Sequence, residues 1–162
     1  MTENNSITIE EIKKNKEIGN DFLKQSNFSE AEKIYNQIIE KINKIPDNII
    51  NDKEIIEQKK FILSNLAMCL AKQNKMKESM ECDKIIIKKL DKKFAKSYAR
   101  LISHNLQLGK FNMARYHYDL MNLYVDKEMM NKFPEIIPKI QKEIEKHDEM
   151  ANGLLQLREV LK

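Results

Sequence analysis

The chain has no tryptophan, and only three glycines, three prolines and two cysteines in 162 residues. So few backbone breakers exclude turn-rich sandwiches and low-complexity chains, and no two-residue alternation is sustained long enough to signal strands. Cys69 and Cys82 lie inside helical patterns with no histidine at ligand spacing. They read as reduced, buried thiols rather than a disulfide framework or a zinc site. No apolar run approaches the length of about 20 residues that spans a bilayer. Met1 to Ser6 also lack the positive end and apolar stretch of a leader. The expected location is the cytoplasm or the nucleus, and no membrane partner is expected. Neither sign of charge dominates, because 29 basic and 25 acidic residues are finely interspersed for a net charge of +4. That is a mixed surface, not a nucleic-acid tail. A glycine-rich phosphate loop and Ser-His or Cys-His pairings are missing. His104, His117 and His147 read as surface or partly buried helix residues. Neither catalysis nor a metal or other cofactor is expected within these residues.

What is present is apolar content of 41% laid out at helical spacing. In residues 60 to 89, Leu63, Leu66, Ala67 and Leu70 form one stripe of a 3.6-residue period. Gln73-Asn74-Lys75 interrupts it, and Met76, Met80, Cys82, Ile85 and Ile86 form the apolar face of a second helix. Such a hairpin cannot bury both faces alone, so copies of it are expected. Ala31, Ser79 and Ala114 each follow a polar turn, at steps of 48 and then 35 residues. The second step is close to the roughly 34-residue period of stacked helix pairs. The first carries an insertion around the breaker Ile45-Pro46-Asp47-Asn48, which lengthens two helices and their loop without adding a repeat.

The expected organisation is a flexible lead-in over 1–8, helix pairs over about 9–44, 53–90 and 92–125, and a capping helix with extension over 126–162. The first helix is expected to bury Ile12, Ile18, Gly19, Phe22 and Leu23. Gly19 in mid-helix points to close approach of a partner, with Ala31 as the matching small surface. The second shows Ile34, Tyr35, Ile38, Ile39 and Ile42, capped by Asn27 or Ser29. The third pair shows Phe94, Tyr98, Leu101 and Ile102, then Ala114, Tyr118, Met121 and Val125, with Gly109 between. The part of the tail after His147 is expected to project beyond the array.

IGNDF (18 to 22) with Ala31 and Tyr35, SNLAMC (64 to 69) and KSYAR (96 to 100) resemble tetratricopeptide-repeat domains of the carboxylate-clamp type, over roughly residues 10 to 125. The long first connection and SNLAMC look most like the C-terminal domains of immunophilin-type peptidyl-prolyl isomerases. No isomerase domain lies within these residues, so either the chain is a fragment of a longer protein or the likeness concerns the repeat domain alone. The resemblance implies an all-α, right-handed superhelix of three helix-turn-helix hairpins plus a C-terminal capping helix. It implies a monomeric co-chaperone or adaptor that binds the Glu-Glu-Val-Asp tail of a seventy- or ninety-kilodalton heat-shock chaperone. By resemblance, Lys16, Asn20 and Asn65 would hold the ligand's terminal carboxylate, Lys96 its last Asp side chain, and Arg100 an upstream oxygen.

Residue chemistry agrees with that assignment. Lys16 and Asn20, and again Lys96 and Arg100, are i and i+4 on one helix face. Two adjacent carboxylates need several donors on a rigid surface, and the asparagine amides add donors without adding charge. An isolated Lys or Asn on a helix is ordinarily a solvated residue, and the set of five is what distinguishes this chain. Met68, Ala71 and Lys72 follow Asn65 toward the same groove and are expected to pack the ligand's penultimate apolar residue, with a core position an equal alternative for Met68. Asp83 and Asn105 depart from the repeat pattern and are expected to loosen the second and third pairs. The competing reading is a repeat scaffold that binds another peptide or helix, including as the non-catalytic domain of a larger isomerase. Membrane or calmodulin contact through the tail from Ile136 is disfavoured by Glu143, Glu145 and Glu149.

Overall fold

A computed structural model of the chain describes residues 7–46 and 52–161, and every regular element among them is helical. Most of the expected lead-in (1–6) and the Asp47-Asn48 part of the breaker lie outside the described residues. The protein is all-α, with helices that pack in sequential pairs, and it divides into two compact units, Met1–Lys92 and Lys93–Lys162.

In the first unit, α1 (Ile9–Lys24) pairs with α2 (Phe28–Ile42), and α3 (Lys53–Lys72) pairs with α4 (Met76–Ile85), which runs into a π-helical turn, Ile86–Leu90. A capping box starts α1. The Glu11 N–H donates to Thr8 Oγ1 at 3.2 Å and the Thr8 N–H donates to Glu11 Oε2 at 2.9 Å, satisfying two otherwise orphaned donors. Asn27 caps α2, accepting the Glu30 N–H at 3.4 Å. Helix α2 packs on both α1 and α3, burying Ala31, Tyr35, Ile38 and Ile42 completely or nearly so. The two isoleucine side chains each contribute about 1.5–3 kcal/mol. Between α3 and α4, the buried Ser79 hydroxyl donates to the Ala67 carbonyl at 2.8 Å. Lys60 ties α3 to the end of the π turn through Asp91 at 3.0 Å and also pairs with Glu57 of its own helix at 2.8 Å. Burial alone would lower its pKa, but the two carboxylates outweigh that and raise it.

In the second unit, α5 (Ala95–Gln107) pairs with α6 (Phe111–Tyr124), and a short α7 (Lys127–Met130) leads to α8 (Ile137–Val160). A proline in its first turn starts α8, where the missing N–H costs nothing. Ile140 and Ile144 are buried, and α8 packs on α5 and α6. One turn later the His147 ring stacks on Phe111 at 3.7 Å, and Arg115 of α6 pairs with both Asp119 and Asp148. Beyond that point Met150, Leu154, Leu155, Leu157, Val160 and Leu161 are exposed. No helix among the described residues is long and apolar enough to cross a membrane.

The same turn closes all three pairs. At Ser26 (φ 58°), Asn74 (φ 61°) and Gly109 (φ 66°) the chain enters the left-handed region. The next residue's N–H then reaches back to the carbonyl five residues earlier: Asn27 to Phe22, Lys75 to Leu70 and Lys110 to Asn105, at 2.8 to 2.9 Å. A second bond in each turn completes the Schellman motif that satisfies the last carbonyls of a helix. Five residues after each turn stands a wholly buried small residue, Ala31, Ser79 or Ala114.

Several sequence expectations need correction. Ile18 is 40% exposed, because it lies six residues and hence about 120° round from Ile12, which faces the core with Gly19. Phe22 and Leu23 are half-buried. Ile85 is 37% exposed, because it lies five residues and hence about 140° round from the buried Met80, while Ile86 and Ile87 continue the buried face of Ser79, Met80 and Asp83. On α6 His117 is buried where Tyr118 was expected, its Nδ1 2.8 Å from the Met113 carbonyl, and His104 is buried as well. The close approach at Gly19 comes from Tyr35. A Cβ at Gly19 would stand 2.6 Å from Tyr35 Cε1. Asp83 and Asn105 are both buried. The Asn105 amide donates to the Leu101 carbonyl at 2.7 Å, so its own helix accommodates the polar group.

Candidate functional site

The candidate site in the first unit is built where α1 meets α3. Three side chains on α1 reach three on α3: Lys13 pairs with Glu54, Lys16 Nζ donates to Gln58 Oε1 at 2.6 Å, and Asn65 Nδ2 donates to Asn20 Oδ1 at 2.9 Å. Residue numbers rise together on both helices, so α1 and α3 lie side by side and parallel, with α2 packed on both. The spacings are helical, 13, 16 and 20 on α1 and 54, 58 and 65 on α3, so each set falls on one face.

Underneath lies Tyr35 of α2. It is wholly buried, and its hydroxyl donates to Asn20 Oδ1 at 2.7 Å while standing 3.4 Å from Asn65 Nδ2. Burial pushes its pKa up to about 12, keeping the phenol protonated. Asn20 Oδ1 therefore accepts two hydrogen bonds from within. The Asn20 amide nitrogen turns to the exposed side, 3.3 Å from Glu17 Oε1.

The electrostatics of neighbouring lysines differ. The Lys13 ammonium has a raised pKa, chiefly from its hydrogen bond to Glu54. Lys16, one turn on, is half-buried against a neutral amide and enters no ion pair among the described residues. The face thus carries the Lys16 charge and one outward amide donor, Asn20 Nδ2. The present partner of that donor is the exposed Glu17 carboxylate, the kind of group a ligand carboxylate would replace.

Further along α3, Met68 and Ala71 are half-buried and Lys72 is exposed. Phe61, four residues before Asn65 and seven before Met68, is 40% exposed, with the Lys60 ammonium 5.1 Å from its ring centroid. In the second unit, Lys96 and Arg100 lie one turn apart on α5. Lys96 is exposed, its Nζ 6.0 Å from the Phe133 ring centroid and in no ion pair among the described residues, and Arg100 is half-buried.

Sequence reasoning placed Lys16, Asn20 and Asn65, and the structure brings the two asparagines into direct contact. It missed the parts played by Gln58, Phe61 and the Tyr35 hydroxyl. The spacing of Gln58 seven residues before Asn65 was the available signal for a shared face. Among the described residues no group of three His, Cys, Asp or Glu side chains is placed to hold a metal ion. A scan of the chain against protein-family models and a search of curated proteins each return no match.

Proposed function

We propose that the chain is a peptide-binding co-chaperone or adaptor module of the carboxylate-clamp tetratricopeptide type. Its ligand is the free C-terminus of a chaperone tail ending Glu-Glu-Val-Asp. The observation that carries this reading is the unneutralised Lys16, held by Gln58 one helical turn from the paired amides of Asn20 and Asn65. A terminal carboxylate offers several lone pairs in a small space, and charge-assisted donors on rigid helices match it. The repeated turns at Ser26, Asn74 and Gly109 favour a repeat architecture over an irregular bundle. The assignment of Lys96 and Arg100 to the ligand's Asp side chain and an upstream oxygen rests on the family resemblance. Phe61 and Met68 supply apolar surface along α3 for the ligand's penultimate residue. The reading involves no catalytic step.

Calorimetric titration with a peptide ending Met-Glu-Glu-Val-Asp, beside the same peptide amidated at its C-terminus, tests it. The free acid is expected to bind with micromolar affinity and the amide not at all. Lys16→Ala, Lys96→Ala and Arg100→Glu are each expected to abolish measurable binding, because losing one charge-assisted bond costs about 1.5–3 kcal/mol of a modest total. Helicity should be unchanged in all three. If neither peptide binds, the clamp reading fails, and a helical scaffold for a different peptide or helix takes its place.

A further inference from the structure

The Tyr35 hydroxyl lies deeper than any side chain assigned to the ligand, yet it touches two of them. We propose that Tyr35 is a positioning residue for the anion seat: it fixes the rotation of the Asn20 amide so that the nitrogen, not the oxygen, faces the ligand. This inference rests on the reading of Lys16, Asn20 and Asn65 as a carboxylate seat.

An asparagine side chain presents a donor or an acceptor depending on a half-turn about its last bond, and the two ends are nearly identical in size. A seat for a carboxylate works only with the donor outward. Asn20 Oδ1 is drawn inward by two donors, the Tyr35 hydroxyl at 2.7 Å and Asn65 Nδ2 at 2.9 Å. Turning the amide over would place its NH2 group against the Asn65 NH2 group and leave the buried phenol without its acceptor. Glu17 Oε1, 3.3 Å from the Asn20 nitrogen on the exposed side, favours the same rotation, and Tyr35 fixes it from within.

Gly19 makes the geometry possible. The Tyr35 ring lies where a Cβ of Gly19 would be, 2.6 Å from Cε1 and 3.0 Å from Cζ. The ring therefore sits directly on the backbone of α1, and its hydroxyl emerges beside the very next residue, Asn20. A bulkier residue at 19 would push the hydroxyl away from the amide. The glycine and the tyrosine act as one register device, with the raised pKa of Tyr35 keeping the proton on the oxygen that must donate it.

Tyr35→Phe keeps the ring on Gly19 and removes only the hydroxyl. Titration with the peptide ending Met-Glu-Glu-Val-Asp is expected to show affinity about three- to tenfold weaker, the effect of one neutral hydrogen bond. In an Asn20→Ala background the same change is expected to have no further effect, because there is no amide left to orient. That background keeps the charges of Lys16, Lys96 and Arg100 and is titrated up to millimolar peptide, so that its weaker binding is still read. A merely structural tyrosine would weaken binding equally in both backgrounds or lower only thermal stability, and either result overturns the proposal.

Nitrogen-15 relaxation of the Asn20 side-chain amide, without ligand, separates this proposal from the reading beneath it. The amide is expected to be rigid in the parent chain and mobile in Tyr35→Phe. If that holds while no peptide binds the parent chain, the clamp fails and the orienting role stands. If the peptide binds both chains equally and the amide is equally rigid, the clamp stands and the orienting role is refuted.

Discussion

The two units hold their buried polar groups differently. In Met1–Lys92 several bridge helices, Tyr35 to Asn20, Ser79 to Ala67 and Lys60 to Asp91, and the half-buried Gln73 and Lys75 add bonds to Glu32. In Lys93–Lys162, Asn105 and His117 turn back to the carbonyl four residues earlier on their own helices. A bond within one helix satisfies a polar group but says nothing about its neighbour. A bond between helices sets register as well. The first unit is thus cross-linked by polar bonds that start inside its core, whereas in the second the bridge from Arg115 of α6 to Asp148 of α8 lies at the surface, beside the apolar seam of Ile140 and Ile144.

The apolar seam of α8 gives the largest contrast to test. Ile144→Ala removes a buried side chain where α8 packs and is expected to destabilise the second unit by about 2–5 kcal/mol in chemical denaturation. Leu154→Ala, ten residues further along the same helix at an exposed position, is expected to change stability by less than about 0.5 kcal/mol. Equal effects would mean that the second half of α8 is as well packed as the first, contrary to its exposure.

How far the sequence discloses this depends on what each kind of pattern can encode. The buried small residues Ala31, Ser79 and Ala114 are legible because they recur, and the turns at Ser26, Asn74 and Gly109 keep the same two steps. Apolar spacing resolves a helix face only to about one residue of rotation, or 100°. That is why Ile18 and Ile85, about 120° and 140° round from Ile12 and Met80, read as core positions and are exposed. The Asn20 to Asn65 contact spans 45 residues, and periodicity gives the face of each helix without giving which atoms meet. Tyr35 was legible as a core residue because its ring obeys the stripe. Its hydroxyl, which does not, was invisible.

Alkaline titration probes the buried groups of the first unit. Burial raises Tyr35 from 10.0 to about 12 and Cys69 from 9.0 to about 11. Below pH 9 the folded and unfolded chains hold both protons. As pH rises through 9 and then 10 the unfolded chain releases them first, so stability is lost until the folded pKa values are passed. Two pKa units at Tyr35 correspond to about 3 kcal/mol. Denaturant midpoints for the parent chain are expected to fall between pH 8 and pH 11. Tyr35→Phe should remove much of the fall above pH 10, and Cys69→Ala the part that begins near pH 9. An unaltered profile in both variants would show that other groups dominate alkaline unfolding.

One substitution is expected to act with opposite sign in the two units. Gly19→Ala places a methyl group against the buried Tyr35 ring and should destabilise by about 1–3 kcal/mol despite the better helix propensity of alanine. Gly153→Ala, in α8 with nothing within 4 Å of the added carbon, should stabilise by up to about 1 kcal/mol. Loss at both positions would point to an unrecognised partner for Gly153, and gain at both would mean that Tyr35 can move aside.

The three left-handed turns separate backbone strain from packing, and they do so in both units. Gly109 has open space around it, so Gly109→Ala should cost about 1 kcal/mol through φ alone. Ser26 and Asn74 already carry side chains at the same φ, and Asn tolerates that conformation better than Ser. Ser26→Gly is therefore expected to stabilise by about 0.5 kcal/mol, and Asn74→Gly by less, as read from denaturant midpoints with unchanged slopes. Relief of strain does not depend on whether a pair is joined by polar cross-links or by an apolar seam. The ranking should follow residue type rather than unit, and a larger gain at Asn74 than at Ser26 would show that the turns are less alike than their hydrogen bonds.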